Sequence, residues 1–502
     1  MTHCGVIAGL TFWGLCWMAG VSRAAPWETL PPDHWAYPEI QWLQVEGYFT
    51  DLDPSEHPYT RGEIAASLQA GPRPQDGFAL KRFRKLEREF AAEINPERKI
   101  ECYAGGRLTA GLEARYAASG RSAGYGVLQI SAGNDRHGVH NSLRGDRDLA
   151  EDPRYSGKKW NDWSGFAEAA YLTFTGRRWQ VKLGRDHLSW GPGAEHLLLN
   201  DAPRGLDQIR FVWKWRWGRF QGLAGQISSF DDSTGARRDR FLSAHRLEFI
   251  PWSWLRVGAS ETLIWRGGVR LDYMNPFLPY YAELVNNRSD GNGLLGLDLC
   301  AFPHPGWQLY AELLLDDIQL EKKTPRDLEP TEWGWLIGVR WVGFHGGIGF
   351  NADYQGVTNR TYNSPDESLR YLNYGLPLGG SIGNDADLLN LQLSCWATAD
   401  LRLDGFWRHR RQGEGRVEAP FDSSYLNYTL EEGYDESFPT GTVESSDMFG
   451  FGFSFFADAR LQAQGWIAYE QVDNALNIKG LREEGWLGRL TLTLQLEQAI
   501  RF

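Results

Sequence analysis

Residues 183–220, LGRDHLSWGPGAEHLLLNDAPRGLDQIRFVWKWRWGRF, decide the fold. Near the end of this stretch every second residue is a large aromatic: Phe211, Trp213, Trp215 and Trp217. The positions on the other parity include Arg210, Lys214 and Arg216. Successive side chains of a strand point to opposite faces. The pattern therefore predicts a strand with one aromatic face and one basic face, which is more typical of a membrane barrel than of a soluble sheet.

The composition is consistent with a β-barrel in a membrane and argues against several other classes. The 502 residues include 23 Trp and 57 Gly, and the mean hydropathy is -0.45. After the amino terminus there is no run of about 18 apolar residues, which a membrane-spanning helix would need. The net charge of -12 argues against general nucleic-acid binding, for which a basic face is required.

The amino terminus has the pattern of an export signal. Residues 5–21 are largely apolar, and Ser22-Arg23-Ala24-Ala25 fits cleavage after Ala24. We therefore expect residues 1–24 to be a signal peptide. Of the five cysteines, Cys102, Cys300 and Cys395 would remain, and their spacing matches no zinc pattern. The sequence thus predicts no metal site, no cofactor and at most one disulfide.

Residues 25–98 are predicted to form a small helical periplasmic region. One helix should follow Asp33-His34-Trp35-Ala36 and stop near Gly47, and a second should begin after Thr60 as N-cap. Residues 32–70 resemble one repeat of the surface-layer homology module. Residues 79–95 form an amphipathic pattern whose polar face carries both signs. This helix can lie on a membrane, pack on the preceding helices or dock under a barrel, and we favour docking.

From residue 99 to residue 502 the pattern is that of strands. Seventeen candidates are separated alternately by tight turns and by long connections at 263–292, 357–386 and 412–446. Bacterial single-chain barrels have even strand counts. We therefore predict an all-β membrane protein, a 16–18-stranded antiparallel outer-membrane barrel, with one strand miscalled or hidden in 357–386.

The last strand supplies an independent indication of closure. Leu490, Leu492 and Leu494 share one parity, while Arg489 and Thr491 take the other, and the chain ends in Phe502. A barrel must close to satisfy its backbone groups in lipid, and this strand would complete it. An alternating terminal strand that ends in Phe resembles the signal that the barrel assembly machinery recognises.

Several segments together resemble the Wzi-type capsule assembly family. They are Leu183-Gly184-Arg185-Asp186, Trp190-Gly191-Pro192-Gly193, the run from Leu197 to Pro203, Asp207-Gln208-Ile209-Arg210, Asn275-Pro276-Phe277, Asn292-Gly293, Leu297-Asp298 and Leu315-Asp316-Asp317. The resemblance implies a bacterial outer-membrane barrel of about eighteen strands with periplasmic helices. It also implies a non-catalytic lectin that attaches capsular polysaccharide to the cell surface. The surface-layer-like stretch departs from the family, so another surface glycan is an alternative.

The candidate site residues are charged groups of the predicted lumen and aromatic groups of a long loop. Guanidinium groups pair with carboxylates, and aromatic rings cover the C–H faces of sugars. The polar candidates are Lys182, Arg185, Asp186, Asp201, Asp207, Arg210, Lys214, Arg216, Arg256, Arg340, Arg402, Arg408 and Arg410, and the loop candidates are Tyr425, Tyr428 and Tyr434. The charges of 184–207 either form a polar plug that contacts ligand or brace the lumen wall. The basic parity favours an acidic polysaccharide as partner.

Two other functions remain open. A diffusion porin would need an open lumen, whereas a glycan-binding barrel can be plugged. A remote alternative is a hydrolase, because His187 and Ser189 are two residues apart, a spacing also found in outer-membrane phospholipase A. No orienting amide is evident for such a pair, so we expect no enzyme. The expected partners are an acidic surface polysaccharide and outer-membrane lipid, and the expected state is a monomer.

Overall fold

The computed structural model describes residues 25–95, 101–115, 118–152, 155, 157–201, 204–231, 234–287, 290–319, 323–456 and 461–501. The expected signal peptide and Phe502 lie outside these residues. The helices are α1 (Ala36–Val45), α2 (Arg61–Ala70), α3 (Gly77–Glu89), α4 (Ala91–Ile94), α5 (Arg147–Glu151) and α6 (Tyr280–Asn287). Within the described part of the chain, no helix is long and apolar enough to cross a membrane.

Eighteen long strands form one closed antiparallel barrel. They are β1 (Glu101–Arg115), β2 (Ala118–Gly133), β3 (His137–Asp146), β4 (Ser164–Thr175), β5 (Trp179–Asp186), β6 (Leu206–Trp215), β7 (Gly218–Asp231), β8 (Arg237–Trp252), β9 (Leu255–Arg266), β10 (Asn292–His304), β11 (Trp307–Asp317), β12 (Glu332–Gly343), β13 (Ile348–Val357), β14 (Ala386–Trp396), β15 (Leu401–Gln412), β16 (Glu444–Phe456), β17 (Leu461–Asp473) and β18 (Arg482–Arg501). Each pairs with its neighbour in sequence, and β18 pairs with β1 from Glu101↔Arg501 to Arg115↔Leu487. The predicted closure by the last strand is confirmed.

The strand that the sequence did not reveal is β3, not a strand within 357–386. Its outward positions include only Val139 and Leu143 as large apolar residues, and its inward His140 and Ser142 are buried. Two outward apolar residues give too weak an alternation to stand out. Residues 357–386 contain instead a two-residue hairpin, in which Leu372–Asn373 pairs with Leu376–Pro377.

The aromatic face of the opening stretch lies on the outside of the barrel, as predicted. On β6, Trp213 is 48% exposed, while the alternate positions Arg210 and Val212 are buried. The strand ends at Trp215, so Arg216 and Trp217 form the following turn instead of continuing the strand. The tryptophans therefore face the lipid side, where aromatic girdles of barrels lie.

The two ends of the barrel differ in their connections. One end, called here the tight-turn end, carries the short turns 176–178, 216–217, 253–254, 305–306, 344–347 and 397–400. The other, the long-loop end, carries 147–163, 187–205, 267–291, 318–331, 358–385 and 413–443. This asymmetry is the one expected of outer-membrane barrels.

The helical region formed by residues 25–95 is attached to the tight-turn end. Gly306 N–H donates to Val45 O at 2.6 Å, and Trp42 Nε1 donates to Gly346 O at 3.1 Å. Thr60 caps α2 in a capping box with Glu63, and the chain leaves α1 through Gly47 at φ +95°. The apolar sides of α1, α2 and α3 share one core with Trp396 and Phe456 of the barrel rim. The docking that we favoured for the amphipathic helix is the arrangement observed.

A plug made of two segments fills part of the lumen. Residues 53–60 of the helical region enter the barrel, and Glu56 and His57 pair through their backbones with Trp190 and Ser189. Residues 187–201, called here the plug segment, fold inward from β5 instead of extending outward. Leu197, Leu198 and Leu199 are buried against inward residues of β7–β13. The expected plug therefore exists, but Leu197–Leu199 give the plug segment an apolar packed face where a polar one was predicted.

One barrel carboxylate fixes the turn of the plug segment. Glu312 of β11 accepts the backbone N–H of Gly193 at 2.9 Å and that of Leu197 at 2.8 Å. Gly191 has φ +133°, and a Cβ at this position would come within 2.4 Å of Glu312 Oε1. Glycine is therefore needed at the point where the plug meets the wall.

Candidate functional site

A cavity of about 920 Å³ remains in the lumen beside the plug. Its wall is built mainly from inward-facing residues of β14–β18, and from residues of β2–β4 on the adjoining side. The plug segment, the loop after β3 and the start of the helical region complete it. A concave space of this size is typical of a site that binds a small ligand.

Aromatic rings and glycines shape the strand wall of the cavity. Phe406 of β15 and Trp466 of β17 line it from either side of β16. Between them, Gly450 pairs with Phe406 and Gly452 pairs with Trp466. A Cβ at Gly450 would lie within 2.3 Å of the Phe406 ring. Because β16 has no side chain at these positions, the two rings are exposed to the cavity as flat apolar faces.

Three arginines of the cavity form no ion pair with any described carboxylate: Arg204, Arg408 and Arg489. Arg408 donates from Nε to Asn390 Oδ1 at 3.3 Å and lies 5.0 Å from the Phe406 ring centre. Arg489 is paired in register with Trp466 on the neighbouring strand. The strand wall thus places guanidinium donors next to aromatic faces.

The charge of the cavity is mixed, whereas the sequence predicted a basic lumen. Its described lining contains four arginines, Arg144, Arg204, Arg408 and Arg489, and seven carboxylates, Asp33, Asp146, Asp148, Asp152, Glu168, Asp201 and Asp404. Arg144 bonds both Asp146 and Glu168, at 2.8 and 2.9 Å. Asp404 is held by Arg402 at 3.1 Å. Part of the negative charge is therefore already compensated within the wall.

The plug segment contributes His187 and Asp201 to the cavity. Neither ring nitrogen of His187 has a hydrogen-bond partner among the described residues. Burial raises the pKa of the Asp201 carboxyl, and the neighbouring His187 opposes this. Deeper in the plug, burial lowers the pKa of His57 to about 4 and that of His196 to about 3. Both of these rings are therefore neutral at ordinary pH.

Two predicted cations of the opening stretch bind the helical region. The Arg210 guanidinium donates to Glu56 and, at 2.7 Å, to Gln221 Oε1. Lys214 Nζ donates to Glu63 of the capping box. Both basic groups face the lumen as predicted, but each is occupied by a carboxylate of residues 25–95. They are placed to hold the helical region in the barrel.

Two further predicted arginines also contact the chain itself. Arg256 donates to Glu248 Oε1 at 3.0 Å and to Thr50 O at 2.5 Å. Arg340 donates to Pro192 O at 3.1 Å and lies 4.2 Å from the Tyr310 ring centre. These contacts brace the lumen wall, a role that the sequence left open only for the charges of 184–207.

The remaining candidates divide between the two faces of the barrel. Arg185 and Asp207 form a two-point ion pair on the outer face, on the same parity as exposed Leu183 and Ile209, so they do not line the lumen. Asp186 is buried in the lumen. The other placements are as follows: Lys182 bonds Asp186, Arg402 bonds Asp404, Arg410 bonds Gln412, and Arg216 is exposed in the turn after β6.

The predicted loop tyrosines surround one arginine at the long-loop end. Arg360 donates to Glu436 at 2.9 Å and to Asp422 at 2.7 Å, and its guanidinium lies over the rings of Tyr425 and Tyr434. Tyr425 is buried and Tyr434 half-buried. Tyr428 is exposed beside them, at 5.2 Å from the Tyr434 ring. This arrangement offers one free aromatic face to the exterior.

The His-x-Ser pair does not have the geometry of a nucleophile and its base. Ser189 is buried in the short strand that pairs with His57, and only His187 lines the cavity. The two ring nitrogens of His187 are without a bond to Ser189 or to any other described group. A hydrolytic pair needs that hydrogen bond and a third group that orients the base.

No group of three or more metal-binding side chains is found among the described residues. Of the cysteines, Cys300 and Cys395 are free.

The sequence did not single out the aromatic residues of the cavity. Phe406 and Trp466 lie on the inward parity of strands whose other inward residues are polar, such as Gln464 and Arg408. A large aromatic residue among the polar, lumen-facing positions of a barrel strand could have identified Phe406 and Trp466 from the sequence. Arg144 and Arg204 gave no such signal, because β3 was missed and Arg204 follows the plug segment.

Comparison with known proteins identifies a family and similar solved structures. The model of the family described as "Capsule assembly protein Wzi" matches residues 87–483. Wzi of Escherichia coli, described as an outer membrane protein involved in group 1 capsule assembly and a carbohydrate-binding β-barrel, aligns with a TM-score of 0.61 at 16% identity. The alignment covers 91% of this chain and 96% of that one.

Two porin structures align less well. OccK3 (OpdO) of Pseudomonas aeruginosa gives a TM-score of 0.46 at 10% identity, over 79% of this chain and 96% of its own. A BenF-like porin of Pseudomonas fluorescens Pf-5 gives 0.45 at 10% identity, over 80% and 99%. No curated protein matches the sequence. The family match and the closed barrel with an apolar outer face place the chain in the outer membrane.

Proposed function

Because the chain belongs to the Wzi capsule assembly family, we propose that it binds surface polysaccharide in the lumen cavity as a non-catalytic, lectin-like barrel. The observation that carries the proposal is the strand wall, where Phe406 and Trp466 lie beside Arg408 and Arg489. Flat apolar faces suit the C–H surfaces of sugars, and guanidinium groups suit carboxylates or other anionic substituents.

Three cavity arginines support an acidic polymer as the ligand. Arg204, Arg408 and Arg489 form no ion pair with a described carboxylate, while Arg144 and Arg402 are engaged by wall carboxylates. Asp201 and His187 add further polar groups on the plug side. Exposed Tyr428 at the long-loop end offers a second contact for a polymer that extends outward. We further propose that the chain acts as a monomer and that the barrel assembly machinery recognises its last strand, including Phe502.

The test compares cavity and non-cavity variants for retention of polysaccharide extracted from the source cells. Arg408→Gln combined with Arg489→Gln, and separately Trp466→Ala, should weaken retention. Arg216→Gln is the matched control, because Arg216 is exposed outside the cavity. Retention should also fall with salt, since the Debye length shrinks from about 10 Å at 0.1 M to about 3 Å at 1 M.

All variants must first migrate faster on a gel when unheated than when heated, which marks a folded barrel. Retention that is unchanged in both cavity variants would move the site to the loop tyrosines, which Tyr428→Ala would then test. Retention that does not depend on salt would contradict an acidic ligand. A glycan array would identify the sugar.

A further inference from the structure

The connection 267–291 leaves the barrel rim and folds back onto the outer wall. On β8 and β9 the parity of exposed Leu247 and Val257 also contains Leu263 and Trp265, yet these are only 0% and 1% exposed. Tyr273 and Tyr280 of the connection cover them, together with Met274 and Leu284. We call residues 267–287 the strap. It occupies a part of the wall that the barrel pattern assigns to lipid.

The strap also reaches far along the wall toward the tight-turn end. The Phe277 ring stacks on Phe220 with ring centres 5.0 Å apart. Phe220 is the third residue of β7, which begins at Gly218 at the tight-turn end. Pro276 lies against Gly222, where a Cβ would come within 2.3 Å of it. The tip of the strap, residues 274–281, therefore lies well inside the height of the barrel and not above its rim.

A carboxylate on the wall anchors this tip. Glu261 of β9 accepts the backbone N–H of Tyr280 at 2.8 Å and that of Tyr281 at 2.5 Å, at the start of α6. It also pairs with His245 Nε2 of β8 at 3.2 Å. Since β9 places Glu261 on its outward parity, this polar group would face lipid without the strap.

The backbone N–H groups of the tip are bonded, as an apolar solvent demands. Irregular backbone is not tolerated in hydrocarbon unless its polar groups are satisfied. The N–H groups of Met274, Asn275 and Leu278 donate to carbonyls of the strap, and that of Phe277 donates to Asn275 Oδ1. The N–H groups of Tyr280 and Tyr281 donate to Glu261. The two remaining residues, Pro276 and Pro279, have no N–H. All six backbone N–H groups from 274 to 281 are therefore hydrogen-bonded.

Large apolar side chains dominate the free surface of the strap, which also exposes Asn275 and Asn286. Leu271 is 82% exposed, Phe277 70% and Val269 65%. The Arg270–Asp272 pair is internally compensated. We propose that the strap is embedded in the membrane and that this surface is a contact for lipid acyl chains. The commitment to lipid follows from the bonded N–H groups of the tip and from the continuity of this surface with the apolar wall at Leu247 and Phe249. It is independent of the glycan proposal.

Spin labelling tests the proposal in the full chain. Nitroxides are attached through Phe277→Cys and Leu271→Cys, in a background whose native cysteines are replaced by alanine, and the protein is placed in phosphatidylcholine vesicles. The control label is Leu476→Cys, an exposed position at the long-loop end. Labels at 277 and 271 should be accessible to oxygen and shielded from a water-soluble nickel chelate, and the label at 476 should show the reverse.

Three results would overturn the proposal. They are nickel accessibility at 277 equal to that at 476, shielding of 277 from both reagents, and spin–spin broadening between molecules, which would identify a second copy as the occupant. If the cysteine-free barrel does not fold, a benzophenone amino acid in place of Phe277 in the otherwise unchanged chain gives the same decision. Photo-adducts with phosphatidylcholine support the proposal, and a cross-linked dimer or the absence of lipid adducts contradicts it.

Discussion

Glu56 of the helical region is hydrogen-bonded inside the lumen to Arg210 of β6, 154 residues further along the chain. The same carboxylate accepts from Arg219 of β7. Both arginines are therefore bonded to a residue that is not part of the barrel wall. The stability of the plug should depend on this one carboxylate.

Glu56→Gln should destabilise the packed helical region strongly. Removing one partner of a buried ion pair leaves an uncompensated charge and costs about 3 to 5 kcal/mol. Thermal unfolding and hydrogen exchange of residues 25–95 supply the measurement. Asp207→Asn is the control, because it breaks an ion pair with Arg185 on the outer face that contacts no residue of 25–95. Equal effects of the two changes would contradict an anchoring role for Glu56.

Lys214→Gln combined with Arg216→Gln separates anchoring from glycan recognition. Lys214 is bonded to Glu63, and Arg216 lies in a turn outside the cavity. We expect the double variant to loosen the helical region while retention of polysaccharide stays at the parent level. A loss of retention without any change in hydrogen exchange would return these residues to the glycan site.

The purified parent should show no large, steady channel openings in planar bilayers. The plug is packed against the wall by Leu197–Leu199 and tied to it by Glu312. Glu56→Gln should make openings more frequent, because it weakens one of the two plug segments. Porin-like conductance of the parent would show that the plug does not occlude the lumen and would favour the diffusion function.

The stability of the helical region should fall as the pH rises from about 5 to about 7. Burial raises the pKa of Glu39 in α1 to about 7, and Arg82, Lys85 and Arg402 only partly oppose it. The folded state thus binds this proton more tightly than the unfolded state, whose Glu pKa is about 4.3. The proton bound by Glu39 therefore stabilises the folded state fully at low pH, and this stabilisation is lost as Glu39 ionises.

Glu39→Gln provides the comparison for this pH dependence. The free energy of unfolding of the variant should be flatter between pH 5 and pH 8 than that of the parent. Glu87→Gln, a change at a half-buried carboxylate paired with Arg73, should leave the parent's pH dependence in place. A parent whose stability does not change over this range would exclude a raised pKa at Glu39.

The strand pattern was predictable where lipid and lumen impose opposite demands on neighbouring residues. Trp213 and Arg210 on β6, and Leu492 and Thr491 on β18, show this alternation in the sequence itself. β3 was missed because its outward face has only Val139 and Leu143. Where a strand carries few apolar residues, its assignment depends on the pairing with neighbours, which no local pattern contains.

The site was less predictable, because the same residue types serve recognition and bracing. The sequence analysis placed Arg185 in the lumen, but the strand register places this arginine opposite Asp207 on the outer face. The sequence analysis made Arg210 a candidate for ligand contact, but Arg210 forms an ion pair with Glu56, which lies on a distant segment. Whether a charged residue of a strand faces the lumen or the outside can be predicted only when the strand boundaries are known. Its ion-pair partner cannot be predicted from the strand, because tertiary structure brings that partner from elsewhere in the chain.

The carboxylates from residues 25–95 also constrain the order in which the molecule is made. The lumen cations Arg210 and Lys214 meet partners 154 and 151 residues earlier in the chain, and the barrel closes only when β18 reaches β1. Contacts between such distant segments form slowly. The helical region can therefore complete these contacts only after β6, which is synthesised about 150 residues later, has taken its place in the sheet.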